Sequence, residues 1–314
     1  MATVSVLTPV YNGERHLCDC IESVLRQSYG DWEYVIVDNC SRDETPDIVR
    51  RYAGRDSRIR IVTNTHFVGV IENHNIAFSN ISPQSKYCKV VQADDWIYPE
   101  CLGKFVEISE KNPSVMLASA YRTDDDHVGL KGLPPSESVF LGREIGRSLF
   151  LSGLPDIFGS PTSHFFRAGS VRSRQPFYNP LNIHADTEAC YDVLRDGDFG
   201  FVHEVLTFTR RPGDTQTAKS QNRRSFYPGF LWILKNQGKF FLTEEEFVRS
   251  FRGHLRQYYI VLARDLLKFR RGGRYWRYHV ASLQKMGYRF NPFRLIATLP
   301  LVLKEKLRGP NKRG

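Results

Sequence analysis

No stretch of the chain approaches the roughly 20 uninterrupted apolar residues that a membrane-spanning helix needs, so no such span is expected. No Gly-x-Gly-x-x-Gly follows the first apolar run, and neither a Gly-x-x-x-x-Gly-Lys-Ser/Thr loop nor a His-Glu-x-x-His pair occurs. Dinucleotide-binding dehydrogenases, P-loop hydrolases and zincins therefore drop away. The six cysteines show no Cys-x-x-Cys spacing. Cys18 and Cys20 flank Asp19 without accompanying metal partners, and ordinary thiols in a reducing compartment are the expectation. No basic segment precedes the strand-like run that begins at Thr3, so no signal peptide is expected and the cytoplasm is the expected location. Internal repeats and low-complexity segments are also missing, and disorder is expected only in the last few residues.

What is there suffices for one large α/β domain and a smaller appendage: 314 residues, 41% of them hydrophobic. The net charge of +10 is unevenly placed. From Arg249 onward, 17 Lys or Arg face only Asp265 and Glu305, a net of +15, so the preceding residues sum to −5. A mildly acidic body carries a basic tail.

The N-terminal part alternates strand and helix patterns. Val4 to Val10 is a β-branched apolar run suited to a strand covered on both faces. Leu17, Ile21, Val24 and Leu25 then recur at helical spacing. Strands follow at Tyr34–Asp38, Arg58–Val62 and Tyr87–Val91, with helices between them at Glu44–Tyr52 and Val70–Phe78. This order predicts βαβ units and a mostly parallel, Rossmann-like sheet with helices on both faces. Ligands of such sheets sit at the carboxyl ends of the strands. From about residue 223 the pattern is helical, with Leu255, Tyr259, Leu262, Leu266 and Phe269 as one stripe. A break near Pro212-Gly213 separates body from tail.

Three turns at those strand ends carry chemistry. Pro9-Val-Tyr-Asn-Gly-Glu14 offers an aromatic face (Tyr11), an amide (Asn12) and a carboxylate (Glu14) to a planar base; a plain turn with Asn12 capping the next helix is the alternative. Asp38-Asn39-Cys-Ser-Arg-Asp43 offers a carboxylate to a base imide or a ribose hydroxyl, or else Ser41 or Asp43 simply caps. Val91-Gln-Ala-Asp-Asp-Trp96 sets Asp94 beside Asp95 after an apolar strand, which is costly without a neutralising partner. Mn²⁺ or Mg²⁺, which bridge carboxylates to substrate phosphates, fit that need. Asp124-Asp-Asp126 sits in a polar segment and reads as solvated surface.

In this order the motifs resemble family 2 glycosyltransferases of the GT-A fold. The resemblance rests on Ser5-Val-Leu-Thr-Pro-Val-Tyr-Asn-Gly13, Ser23-Val-Leu-Arg-Gln-Ser28 and Tyr34-Val-Ile-Val-Asp-Asn39. It continues in Phe67-Val-Gly-Val70 with Asn73-His-Asn75, and in Gln92-Ala-Asp-Asp-Trp-Ile-Tyr-Pro-Glu100. It implies a GT-A domain over 1–217 and a basic helical extension over 218–314. Pro9, Tyr11 and Asp38, with Asn12, Glu14 and Asn39 in the same turns, would take the nucleobase side of the donor. Asp94 would face the ribose and Asp95 would hold the metal on the diphosphate. Two positions stand out: Gln92 departs from an Asp common in the family, and His74 stands where many members carry a basic residue, either to contact the diphosphate or as a plain helix-surface histidine.

His184-Ala-Asp-Thr-Glu-Ala-Cys-Tyr-Asp192 is similar to the family segment whose aspartate deprotonates the acceptor, here Asp186, with Glu188 as the fallback. An alcohol attacking an anomeric carbon must lose its proton, and a carboxylate can take it; simple helix capping is the competing role. Gly159-Ser-Pro-Thr-Ser163 resembles the acceptor-side loop, with Ser160 and Thr162. Arg210-Arg211 resembles the closing motif, with Arg210 or Arg211 toward the departing diphosphate or else in a surface salt bridge, although Pro212 takes the place of a usual histidine. The implied reaction is inverting, hexosyltransferase-type transfer from a nucleotide-diphosphate sugar, UDP-sugar favoured, to a glycan or lipid-linked acceptor in cell-surface polysaccharide synthesis.

A sugar-phosphate nucleotidyltransferase is the rival enzyme, but it would show a Gly-rich loop after the first strand. A basic nucleic-acid-binding protein is the rival of another class, and it leaves the strand-end carboxylates without purpose. The tail interleaves arginines with aromatics and ends in an apolar run, Leu295 to Leu303, that is too short to span a bilayer but suits its interface. Docking on an anionic membrane, at the inner face of the cell membrane, is the favoured expectation, with a merely solvated helix face as the alternative, and nucleic acid is not expected.

Overall fold

The computed structural model describes residues 3–124, 127–210, 224–268 and 272–307. The chain divides into two compact units, Met1–Pro212 and Gly213–Gly314. The first opens with the expected alternation: β1 (Val4–Val10), α1 (Leu17–Leu25), β2 (Trp32–Asp38), α2 (Thr45–Ala53), β3 (Ile59–Thr63), α3 (Val70–Ser79) and β4 (Tyr87–Val90). It continues with β5 (Trp96–Ile97), α4 (Cys101–Lys111), β6 (Val115–Asp124), β7 (His127–Gly129), β8 (Val139–Phe140) and α5 (Gly142–Phe150). β9 (Phe165–Arg167), α6 (Ala168–Arg172), α7 (Ala185–Leu194) and β10 (Asp198–Phe208) complete it.

These strands form one mixed sheet in the order β3-β2-β1-β4-β9-β6-β10-β5, with β7 added to β6 and β8 to β10. All seven positions of β1 are buried, because strands flank it on both sides and helices cover it. Val4, Val6 and Val10 join Leu17, Ile21 and Val24 of α1, Ile48 and Val49 of α2 and Phe105 of α4 in one core, while α3 packs on β1 and β2. The parallel register places Val10 opposite Asp38, Asp38 opposite Thr63, and Leu7 opposite Val90. The carboxyl ends of these strands therefore share one edge. At the far side β5 runs antiparallel to β10, Trp96 opposite Phe208. That pairing brings the residues after β10 back to the Asp94-Asp95 turn.

The second unit contains α8 (Phe226–Phe241), α9 (Glu244–Leu267), α10 (Gly273–Lys285) and α11 (Pro292–Leu307). α9 starts at a capping box: the Glu246 N–H donates to the Thr243 hydroxyl, and the Glu246 carboxylate accepts from the Thr243 N–H. Leu255, Tyr259 and Leu262 of the expected stripe are buried and Leu266 is half-buried, and α9 packs on both α8 and α11. Phe269 lies outside the described residues. Asp265, one of only two acids from Arg249 onward, is buried and accepts from Arg224 Nε at 3.3 Å and the Tyr275 hydroxyl at 2.9 Å.

Candidate functional site

The turns after β1 and β2 are stitched together by their own polar side chains. Asn12 adopts a left-handed φ of 50°, a conformation that Asn tolerates better than most residues. Its Oδ1 accepts from the Arg42 N–H at 2.9 Å, and its N–H donates to Ser41 Oγ at 2.9 Å. Glu14 Oε2 accepts from the Glu44 N–H at 3.0 Å, just before α2. Both side chains therefore build the turn, where the sequence suggested base recognition. Asn39 is buried: its Oδ1 accepts from the Val68 N–H and its Nδ2 donates to the Val68 carbonyl, both at 2.9 Å. It brackets residues 64–68 against the sheet, leaving its neighbour Asp38 as the carboxylate of this turn. Asp38 spends Oδ1 on the Ser41 N–H at 3.1 Å. Pro9 is buried in β1, whereas Tyr11 is exposed and meets Phe67 edge-on at 4.8 Å. An exposed aromatic pair beside a buried carboxylate is the part of this edge suited to a planar base.

The Asp94-Asp95 turn sits at the end of β4. Asp95 is 2% exposed, and both of its oxygens are engaged. Oδ2 accepts from the Thr162 hydroxyl at 2.5 Å and Oδ1 from the Arg210 backbone N–H at 2.9 Å. Burial, and then the Asp94 charge beside it, push its carboxyl up to about 7 against the pull of those two donors. Asp94 is only partly buried, and burial raises its carboxyl too. Arg210 completes the corner. Its Nε donates to the Asp94 carbonyl at 3.0 Å, it approaches Asp19 at 3.4 Å, and its guanidinium lies 5.3 Å over Trp96. Trp96 in turn stacks on Phe208 at 3.5 Å. His16 senses the charges of both Arg210 and Asp94, and burial followed by Arg210 lowers its basicity. Sequence reasoning passed over His16, because nothing in its local pattern places it near residues 94 and 210. Arg211 lies outside the described residues.

Thr162 is fully buried behind this turn, so it does not line an acceptor surface. Its hydroxyl holds Asp95 and accepts from the Gln92 N–H at 3.0 Å, and its carbonyl accepts from the buried Lys89 ammonium. Gly159, at φ 79°, makes the preceding bend, and a Cβ there would lie 2.7 Å from Ser163 Oγ. Ser160 is half-buried and bonds the Thr209 hydroxyl at 3.0 Å.

His74 is buried in α3, where a basic surface contact was expected. Its Nδ1 bonds the Val70 carbonyl at 2.8 Å and its Nε2 meets the Gln92 amide nitrogen at 2.9 Å. That pattern requires a neutral ring, with the proton on Nδ1 and Nε2 accepting, and burial lowers its basicity in the same sense. The two departures from the family pattern thus touch each other. His74 also stacks on Tyr178 at 5.6 Å, and Tyr178 exchanges two hydrogen bonds of 2.8 Å with the Asn75 amide. Through this loop the strand-end site reaches α7, because Tyr178 feels the charge of Asp186.

Asp186 lies half-buried in the first turn of α7. Burial pushes its carboxyl up to about 6, opposed by the Thr187 N–H and reinforced by Asp156. Glu188 is buried and engaged by the amides of Asn179 (3.2 Å) and Asn182 (2.8 Å), so it braces the loop and does not face an acceptor. Asp124 ends β6 nearly buried, 3.7 Å from Arg122, and is not the solvated residue expected; Asp125 and Asp126 lie outside the described residues. All six cysteines are free thiols, and among the described residues no three His, Cys, Asp or Glu side chains converge as a metal set.

A family model described as glycosyl transferase family 2 matches residues 5–171. The chain belongs to glycosyl transferase family 2. The putative teichuronic acid biosynthesis glycosyltransferase TuaG of Bacillus subtilis is 39% identical over 92 residues, 29% of this chain and 36% of that protein. Among solved structures, S. aureus TarS 1–349 in complex with UDP-GlcNAc superposes with a TM-score of 0.62 at 16% identity, covering 82% of this chain and 73% of that one. The mannosyltransferase PcManGT from Pyrobaculum calidifontis, in complex with GDP-Man and Mn²⁺, gives a TM-score of 0.58 at 14% identity, covering 98% and 88%. These likenesses establish the GT-A fold for this family 2 chain. The matched stretches span less than half the length of the curated relatives.

Proposed function

We propose that the protein transfers a sugar, with inversion, from a nucleotide-diphosphate sugar to a hydroxyl of a glycan or lipid-linked acceptor in cell-surface polysaccharide synthesis. A UDP-sugar is the favoured donor; TarS, with UDP-GlcNAc, and the teichuronic acid relative support both choices. The observation that carries the reading is the shared strand edge: β1 pairs in parallel with β2 and β4, so Tyr11, Asp38 and the Asp94-Asp95 turn all fall at the carboxyl ends of adjacent strands. The base would lie on Tyr11 with Asp38 accepting from it, and the diphosphate would point toward Asp94 and Arg210. The glycosyltransferase domain would extend to about residue 217.

The turn fits a divalent ion that arrives with the donor. Burial raises both adjacent carboxylates, and the Asp94 charge raises Asp95 further, which a cation would relieve. Mn²⁺ or Mg²⁺ commonly takes one or two protein carboxylates plus substrate phosphates, so a three-ligand protein cluster is not required. Asp94 is the more open of the pair and would meet the ion, with Asp95 held behind it by Thr162 and Arg210. When bound, the ion neutralises charge on the leaving diphosphate.

In the transfer itself the acceptor oxygen attacks the anomeric carbon as the carbon–oxygen bond to the diphosphate breaks. The hydroxyl proton passes to the Asp186 carboxylate, and the bond pair leaves on the diphosphate oxygen. A carboxyl near 6 is a stronger base than an ordinary aspartate yet stays mostly ionised at neutral pH. Arg210 and Arg211 are the cations that would receive the developing negative charge. A lipid-linked acceptor would place the work at the inner face of the cell membrane.

A thermal-shift panel of UDP, GDP, dTDP and CDP sugars, with and without Mn²⁺, followed by a hydrolysis assay on any hit, tests this reading. The expected result is Mn²⁺-enhanced stabilisation by a UDP-sugar. If no nucleotide sugar shifts the melting temperature under either condition, the reading fails.

A further inference from the structure

We infer that the outward face of α11 is a docking surface for an anionic lipid bilayer. This deepens the membrane-side reading above but stands on the second unit alone. α11 is apolar on two sides. Leu295, Thr298 and Val302, at i, i+3 and i+7, are buried, and the helix packs on α9. Tyr259 of α9 fastens its start, accepting from the Asn291 N–H at 2.9 Å and lying beneath the Arg294 guanidinium at 5.5 Å. Among the described residues the opposite side has no such cover. Phe293 is 79% exposed and Ile296 58%, with Leu303 exposed on the same side two turns on and Leu301 exposed on a flank. Single exposed apolar residues are ordinary, but three on one side of one helix mark an interaction surface.

Charge decides what covers that face. Between Asp265 and Glu305 the sequence holds nine Lys or Arg and no acidic residue. Asp265 itself is turned inward to Arg224 and Tyr275. A second copy would set one strongly basic surface against another, which is unfavourable. Nucleic acid would satisfy the cations but gives aliphatic Ile296, Leu301 and Leu303 nothing to enter. An anionic bilayer answers both, with headgroups for the cations and the acyl boundary for Phe293 and Ile296. The whole apolar run from Leu295 to Leu303 does not insert, because Leu295, Thr298 and Val302 are committed to the unit's own core.

The test is co-sedimentation of the full chain with phosphatidylglycerol-containing vesicles and with phosphatidylcholine vesicles, at low and high salt. Truncation at Pro292 is a poor probe, since it would also uncover α9. The double variant Phe293→Ser/Ile296→Ser and the double variant Arg289→Gln/Lys304→Gln alter only exposed side chains and spare the Arg294–Tyr259 contact. The wild type should pellet with the anionic vesicles alone, and more weakly as salt screens the attraction. The serine pair should lose the salt-resistant remainder at least tenfold, and the glutamine pair should weaken low-salt binding severalfold. Three results would overturn the inference: no pelleting at low salt, wild-type pelleting by the serine variant, or tight DNA or RNA shifts by a chain that ignores vesicles. A nucleotide-sugar thermal shift retained in both variants shows that they are folded and separates this surface from the donor site. Vesicle binding with no response to any nucleotide sugar would sink the transfer reading and leave the docking surface standing.

Discussion

Asp186→Asn separates a catalytic carboxylate from a structural one because it drives activity and stability in opposite directions. Burial raises the Asp186 carboxyl from 3.8 to about 6. At about 1.36 kcal/mol per unit, ionised Asp186 costs the folded state about 3 kcal/mol, an upper bound for a half-buried group. The sign follows from linkage. The folded-state value is raised, so the penalty is fully present above pH 6, shrinks as pH falls, and vanishes below the unfolded value near 4. The neutral amide escapes it. The variant should therefore melt higher than wild type at pH 8, by up to about 6 °C at about 2 °C per kcal/mol for a chain of this size, and the two curves should converge near pH 4. Turnover should nevertheless fall by about 10² to 10⁴, with donor affinity nearly unchanged. Wild-type kcat/KM should decline as pH drops through about 6, because a protonated base cannot accept the acceptor's proton. Melting curves in matched buffers and initial rates with saturating donor supply both readouts. Retained turnover in the variant, or a wild-type profile flat through pH 6, refutes the assignment; stabilisation without loss of rate would mark Asp186 as only a strained helix-start residue.

Two further outcomes test the corner around the Asp-Asp turn. Thr162→Val keeps the shape of a buried side chain but removes the hydroxyl that holds Asp95, and it should weaken Mn²⁺-dependent donor binding by about 10- to 100-fold, as losing an outer-shell partner does; Asp94→Asn should weaken it at least as much, and wild-type calorimetry in both would remove the ion from this turn. Gln92→Asp alone should lower the unfolding free energy at pH 8 by placing an extra carboxylate against neutral His74, and His74→Arg should restore part of the loss, with a coupling of about 0.5–3 kcal/mol in denaturant titrations; additivity within about 0.5 kcal/mol would show the two positions to be independent.

The backbone plan was legible because buried strands and amphipathic helices write themselves as local periodicity. β1 and α1 could be located from Val4–Val10 and the Leu17, Ile21, Val24 spacing alone, and the parallel register then forces the motif-bearing turns onto one edge. What one chain cannot display is whether a polar side chain at that edge still has lone pairs to offer. Asp38 and Asn39 are neighbours of similar size and polarity, yet Asn39 is consumed by Val68, 29 residues away. Asn12 and Glu14, though exposed, each give one oxygen to an N–H group 30 residues on and so serve the turn. Thr162 is taken by Asp95, 67 residues back, and Glu188 by two asparagines in its own loop. Each loss is set by a tertiary partner that periodicity does not encode.

His74 and Gln92 show the same limit in the other direction. Read along the chain they are two separate departures, one removing a carboxylate and one removing a cation. In the fold they lie 2.9 Å apart and answer one another. A lone Gln92 opposite an arginine would strand a buried cation, and a lone His74 opposite an aspartate would be driven toward imidazolium in a buried setting. Together they keep the wall between α3 and the Asp-Asp turn neutral. The missing carboxylate at position 92 therefore need not weaken the ion site directly, because the side chain there faces His74; Asp94 and Asp95 remain the negative charges of the turn.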